Sequence, residues 1–282
     1  MVRSFHIAVL IASSICLMSC PAPEKESLWD NIKINDLAPE TRNGPQTNRQ
    51  LKTINFDLHI FEIPADNINK INEIRRTLDI RPLRFNSRLA FSANNFSVYY
   101  GRLQEWNTIS DLLIEAGGER RSRTTVLLPD GQSEDITITG FDYPMSVYYV
   151  SSQGLNKEGA NIGPGLLVMR IKAGDVSSLN DAANVTIYPV FKVPVGSNIP
   201  QIDAMQKTRE FPFTAAAFGL YMSPGDFIIL SPQEFVGDSS TLGSLFFCNP
   251  QGSMFFQKDK RKPPAVKPSF KVYMLTCTAI NN

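Results

Sequence analysis

Histidine is almost missing from this 282-residue chain, which has only His6 and His59. Imidazole is the side chain that titrates near neutrality and the commonest metal ligand, so two copies leave little for a zinc site or for histidine-based acid–base chemistry. An excess of either charge is missing as well. With 28 Lys+Arg against 27 Asp+Glu and a pI near 7.6, the chain lacks the basic footprint of a general nucleic-acid binder. Nucleic acid is therefore not an expected partner. There is no Walker loop, GxGxxG, HExxH, CxxC or GxSxG, and without them no catalytic residue, metal site or cofactor is expected. No repeat of 20 or more residues supports a solenoid or propeller. What is present is a globular composition, 43% hydrophobic and 10% aromatic.

The N-terminus is informative about compartment. Arg3 precedes the apolar run Ile7–Ala12, then Ser13-Ser14-Ile15-Cys16 and Leu17-Met18-Ser19-Cys20, which are the charged, apolar and small-residue zones of a signal peptide. Leu17-Met18-Ser19-Cys20 resembles a bacterial lipobox, in which the cysteine sulfur takes a diacylglycerol before cleavage on its amino side. The resemblance implies 1–19 as a lipoprotein signal peptide and Cys20 as the lipidated first residue of the mature protein. Several acyl chains on one residue give stable anchoring where a single chain is marginal. Loss of 1–19 removes one cation and no acid, so headgroup attraction by net charge is not the anchor. Pro21 follows the cysteine instead of the aspartate that can retain lipoproteins in the inner membrane. The expected location is the bacterial cell envelope, at the outer membrane facing the periplasm.

Residues 20–50 read as a tether. Four prolines and many polar residues without a sustained period give linker composition, with a root-mean-square reach of about 30 Å for thirty residues. Leu28 and Trp29 suit contact with the membrane or with the body equally well.

The body divides by pattern into 51–122 and 123–282. Ile54, Phe56, Leu58 and Ile60 alternate with Asn55, Asp57 and His59, predicting a strand whose second, wetter face carries Asp57 and His59. Such an Asp–His pair invites a catalytic reading, but no nucleophile motif accompanies it and a polar strand face is the expectation. Ile68, Ile71, Ile74 and Leu78 predict a helix with Asp66 as N-cap. Phe85–Gly101 reads as a hairpin turning at Asn94-Asn95, and Trp106, Ile109, Leu112, Leu113 and Ala116 as a second helix ended by Gly117-Gly118. From Arg123 onward strands dominate. Thr124–Leu128 and Glu134–Thr139 flank a reversal at Pro129-Asp130-Gly131-Gln132, and further strands are expected at Met145–Val150, Leu166–Lys172, Val185–Val193, Arg209–Phe218, Asp226–Leu230, Leu242–Cys248 and Phe270–Ile280. The fold class is α+β, mainly β, with a small two-helix αβ unit joined to an antiparallel or mixed β domain.

The order of segments resembles the secretin domain of bacterial outer-membrane secretins. It is carried by Ile54–Ile63 with Glu62, by Ile109-Ser110-Asp111-Leu112-Leu113 and its Gly-Gly, and by RSRTTVLLPDGQSEDITI at 121–138. It continues through Ile162–Val168, Asn184–Val190, Ser223–Leu230, Leu242–Phe247 and Tyr273–Thr278. PLRFNSRLAFSANNFSVYYG at 82–101 resembles a segment of lipobox-bearing envelope proteins. A Val-Pro-Gly-Gly-type gate hairpin is not evident, and the repeated periplasmic domains that precede the family's domain are missing. The resemblance thus implies a structural or interaction role in an envelope or secretion-related assembly, through self-association or an envelope protein partner. The alternative is an oligomeric outer-membrane pore subunit, for which only parts of Val147–Val150 and Phe211–Tyr221 show lipid-facing alternation. A hydrolase ranks last.

Cys248 and Cys277, placed in neighbouring antiparallel strands, either form a disulfide or are two small buried hydrophobes. Lys258, Lys260, Arg261, Lys262 and Lys267 form a basic loop between them, read as a solvated hairpin tip or as a contact for acidic glycan or lipid headgroups. Glu134 and Asp135 are adjacent in a strand, point to opposite faces, and read as a solvated edge.

Overall fold

A computed structural model describes residues 52–152, 156–177, 182–193, 209–238, 240–256 and 263–281; the signal-peptide segment, Cys20, the tether and Lys258–Lys262 lie outside the described residues. The elements are β1 (Thr53–Pro64), α1 (Ile68–Thr77), β2 (Arg84–Phe85), α2 (Arg88–Ala93), β3 (Phe96–Arg102), α3 (Trp106–Glu115), β4 (Glu119–Pro129), β5 (Ser133–Phe141), β6 (Met145–Val150) and β7 (Lys157–Ile162). They continue as β8 (Gly165–Ser177), β9 (Ala182–Val193), β10 (Arg209–Pro212), β11 (Phe218–Met222), β12 (Asp226–Pro232), α4 (Leu242–Phe247), β13 (Cys248–Phe255) and β14 (Ala265–Asn281). The fold is mainly antiparallel β with a few helices.

Two sheets carry the architecture. The first has the order β3-β12-β14-β1-β4, with β13 paired to β14; the second has the order β2-β11-β9-β8-β5, with β10 paired to β9. All these pairs are antiparallel, and β6 with β7 makes a separate hairpin. The 51–122 and 123–282 segments share the first sheet, because β1 lies between β14 and β4. Gln50–Asn282 forms one compact unit.

The period-two pattern of β1 explains the layers. Ile54, Phe56 and Leu58 face the second sheet and join Leu167, Met169, Ile171, Val185 and Ile187 in the main core. The opposite face is not wetter, as its polar residues suggest, but covered. Ile63, Phe61 and the β14 residues Phe270, Val272 and Met274 pack there against Ile71, Ile74, Ile109 and Leu113 of α1 and α3. The result is three layers: helices, first sheet, second sheet.

Several expected elements differ. Asp66 does not cap α1; it lies in a 3-10 turn (Ala65–Asn67), and the N-cap Asn67 receives no side-chain bond. The Phe85–Gly101 hairpin is instead strand, helix, strand. The Ser87 hydroxyl caps α2 by accepting from Ala90 N at 3.2 Å, and Asn95 takes φ 67° where the helix stops. Leu242–Phe247 is a helix, not a strand: Thr241 accepts from Ser244 N at the N-terminus, and nearly every side chain is buried, which removes the periodic stripe that distinguishes helix from strand. Gly243 is required there, since a Cβ would collide with the Asn94 carbonyl. Arg209–Phe218 breaks into β10, a 3-10 turn and β11. The reversal at 129–132 is not a hairpin turn; β4 pairs with β1 and β5 with β8, so it carries the chain from one sheet to the other.

Candidate functional site

Asp57 and His59 are both buried on the helix-covered face of β1. Burial would raise the Asp57 carboxyl, but hydrogen bonds from Arg123 and from Thr125 Oγ1 (2.8 Å) overcome it and hold the group below its ordinary value. His59 lies edge-on to Trp106 at 5.7 Å and stacks on Phe61 at 6.5 Å, with Nδ1 lacking a hydrogen-bond partner among the described residues. Burial, then the Arg123 charge, lowers its proton affinity. The two residues do not bond to each other, and each is spent on packing or on β4.

The cysteines are not bonded. Cys248 stands opposite Phe270 and Cys277 opposite Phe56, so the strand register separates them by seven residues, or roughly 23 Å at about 3.3 Å per residue. No disulfide spans that gap. Burial raises both thiols, Cys277 to about 12, which disfavours the nucleophilic thiolate. Of the basic loop, Lys267 is described; it is exposed on β14 opposite Ser253.

Glu134 and Asp135 do not form a solvated edge together. Asp135 is half-buried in a tetrad running across β5, β8, β9 and β10. Arg170 meets Asp135 at 2.7 and 2.8 Å and Glu210 at 2.7 and 2.9 Å, while Lys192 bonds Asp135 and lies 3.5 Å from Glu210. Two cations satisfy two anions, so no charge is left for a substrate. Sequence spacing gave no sign of this, because the four residues are brought together only by strand order. Beside it, Tyr149, Ile162, Phe191, Val193, Glu210 and Phe211 line a cleft of about 380 Å³ between the β6–β7 hairpin and β9–β10.

Glu62 is held by donors from three other strands. The register of β1 against β4 slips by one residue between Ile60 and Phe61, which leaves Arg121 as a bulge, and its Nε meets Glu62 Oε2 at 2.8 Å. Ser269 donates to Oε1 at 2.8 Å and Ser253 donates to the same oxygen. Burial opposes ionisation, but these three donors outweigh it and keep the group below its ordinary value. Ser269 is fully buried, so the arrangement is closed to substrate. It joins β1, β4, β13 and β14 at the base of the β13–β14 hairpin. Arg121 goes further, donating to the Met254 carbonyl at 2.6 Å and lying over the Phe255 ring at 5.3 Å. Among the described residues, no His/Cys/Asp/Glu group has the arrangement of a metal site.

What remains available is the flank where both sheets end. Among the described residues no strand pairs with the outer edge of β4 or of β5, which are eleven and nine residues long. At the opposite flank β2 has only two residues, and β3 is covered in part by backbone bonds between Asp79 and Tyr100 at 3.0 and 2.8 Å. Arg120 through Thr125 are all exposed along β4, and three of these six are arginines. A long edge strand is a template for another strand, and its side chains decide which one.

No family model matches the chain, and no curated protein matches it. Solved structures similar to it include the secretin InvG of the Salmonella SPI-1 type III secretion injectisome, 10% identical, covering 82% of this chain and 64% of that one, with a TM-score of 0.21. The type II secretin GspD from enteropathogenic Escherichia coli is 8% identical, covering 82% of this chain and 68% of that one, also with a TM-score of 0.21. The chain thus spans less than two thirds of the InvG chain, and at these scores the likeness carries no argument about what this chain does.

Proposed function

We propose that this chain is a lipid-anchored bacterial envelope protein, held at the outer membrane through Cys20 and facing the periplasm, whose body binds another envelope protein by strand addition along β4. The observation that carries the strand-addition reading is the eleven-residue edge of β4, unpaired among the described residues, with its exposed arginines. Backbone N–H and C=O groups along an edge supply affinity to any extended partner, whereas side chains supply selection. Two β4 edges paired antiparallel would oppose arginines to arginines, which is destabilising. An acidic residue on the partner complements Arg120 instead, since Arg121 and Arg123 are already paired with Glu62 and Asp57. The role is structural, and no step of chemistry is assigned.

The test is the size of the complex in a mild-detergent extract. Arg120→Glu/Ser122→Asp puts two acids on the edge without touching the Arg123–Asp57 or Arg121–Glu62 bonds. The expected result is that the parent protein runs with a partner and the double variant runs alone, with an unchanged melting temperature. A parent that runs as a monomer, or a variant that keeps its partner, overturns the reading. Rings in electron micrographs of the extract would point instead to the pore.

A further inference from the structure

The β13–β14 hairpin presents an apolar patch where a soluble hairpin would present polar residues. Met254 and Val266 stand directly opposite each other and are 54% and 65% exposed, and Phe256 is 73% exposed. This exposure does not come from a loose end. The Phe256 backbone N donates to Glu119 Oε1 at 2.8 Å, and the neighbouring Phe255 is buried under the Arg121 guanidinium. Ser253, one residue before Met254, is tied to Glu62. The backbone is therefore pinned on its inner side while three apolar side chains face outward.

Cations outnumber acids in the sequence beside the patch. Lys267, next to Val266, is exposed, and the sequence that joins the two strands, Gln257–Lys262, adds four cations and one acid. Apolar tips with cationic neighbours suit a surface that is apolar beneath and anionic above. The patch is too small for a protein partner: one aromatic and two aliphatic side chains offer a few hundred Å² at most, against the roughly 1,200–2,000 Å² of a stable protein interface.

We propose that the β13–β14 hairpin docks on a bilayer containing anionic lipid, with Met254, Phe256 and Val266 entering the boundary between headgroups and acyl chains and Lys267 contacting the headgroups. This site adjoins the N-terminal end of β4 through Glu119 and Arg121, but it uses other side chains than the proposed strand addition. It gives the body a second, weak contact with a membrane, which a tether reaching about 30 Å makes accessible.

The test uses the full acylated chain in vesicles and the variant Phe256→Trp, whose emission is read as a difference from the parent so that Trp29 and Trp106 cancel. Vesicles are phosphatidylcholine alone or phosphatidylcholine with phosphatidylglycerol, each with brominated acyl chains. Because the tether holds the body near both surfaces, any difference between them reports the hairpin. The expected result is a blue shift and several-fold stronger quenching in the phosphatidylglycerol vesicles. Raising salt from 0.1 to 1 M shortens the screening length from about 10 to 3 Å and should abolish the difference. Lys267→Gln should weaken the contact about five-fold, the equivalent of ~1 kcal/mol for one cation near an anionic surface. Solvent-like emission on both vesicles overturns the proposal, as does equal, salt-insensitive quenching on both. A blue shift in detergent that grows with protein concentration also overturns it, because a second copy would then be covering the patch.

Discussion

Adjacent asparagines at 94 and 95 read in the sequence as a turn, yet each completes a backbone pairing between distant segments. Asn94 donates to the Ala90 and Val150 carbonyls at 2.8 and 2.7 Å and accepts from Val150 N at 2.8 Å, behaving as a missing strand partner for β6. Asn95 does the same for Gln233 and Glu234. Removing such a side chain leaves buried backbone groups unpaired at about 1–3 kcal/mol each. Asn94→Ala should therefore destabilise by about 3 kcal/mol, read as a fall in melting temperature of roughly 6–12 °C for a body of this size. An unchanged melting temperature would mean that β6 is held by other contacts. At the same scale, His59 sets a pH dependence. Its folded pKa lies below the ordinary 6.5, so the unfolded chain binds more protons as pH falls below that value, and stability declines from there down to the folded pKa. Asp57, Glu62, Asp135 and Glu210 are also held low; their contribution is complete above about pH 4.5 and is lost as pH falls through their folded values. Melting followed from pH 7.5 to 3 should show both declines, and His59→Phe should flatten only the upper one. If the upper decline persists in His59→Phe, another group causes it.

Elements with strict alternation were legible, and those whose neighbours override their own pattern were not. β8, β9, β12 and β14 stand where apolar and β-branched runs put them. By contrast α4 is six residues long with five of them buried, so its apolar run reads equally well as strand, and α2, also six residues long, buries only Ala90 and Phe91, too few to show a helical stripe. The Thr241-to-Ser244 cap was the available signal for α4. β13 was missed because Pro250 and Gly252, at φ 86°, interrupt its ladder. The β4–β5 reversal has ordinary turn residues, and only sheet packing decides that its two strands belong to different sheets. Of the candidate site, Glu62 was visible as a residue, but its partners lie 59, 191 and 207 positions away. Glu62→Ala should destabilise by about 3 kcal/mol, near the low end for breaking a buried pair, because Arg121 is one-third exposed and keeps its bond to the Met254 carbonyl. Thermal melting measures this, and a change below about 1 kcal/mol would show that the cluster adds little. Deleting Phe270–Asn282 removes the strand between β1 and β12, and the expected product is insoluble or protease-sensitive. A soluble, cooperatively melting truncation would contradict the sheet order.

At the scale of the whole molecule, the proposed anchor predicts that Cys20→Ser blocks incorporation of labelled palmitate and changes the mature size; incorporation at unchanged size would remove the lipoprotein reading. The body attached to that anchor closes end to end. Thr53 pairs with Asn281 and Pro64 with Ser269, so the first strand of the body is completed by the last. Contacts of such long sequence separation raise contact order and slow folding, since a large loop must close before any of them forms. A chain that emerges N-terminus first holds β1 without its partner until Ala265–Asn281 has emerged. The central pairing of the first sheet cannot form early, and the partly emerged chain stays open and threadable. The order of the strands thus works as a timer, delaying the compact state until β14 has reached the same side as β1 of whatever the chain is passing through.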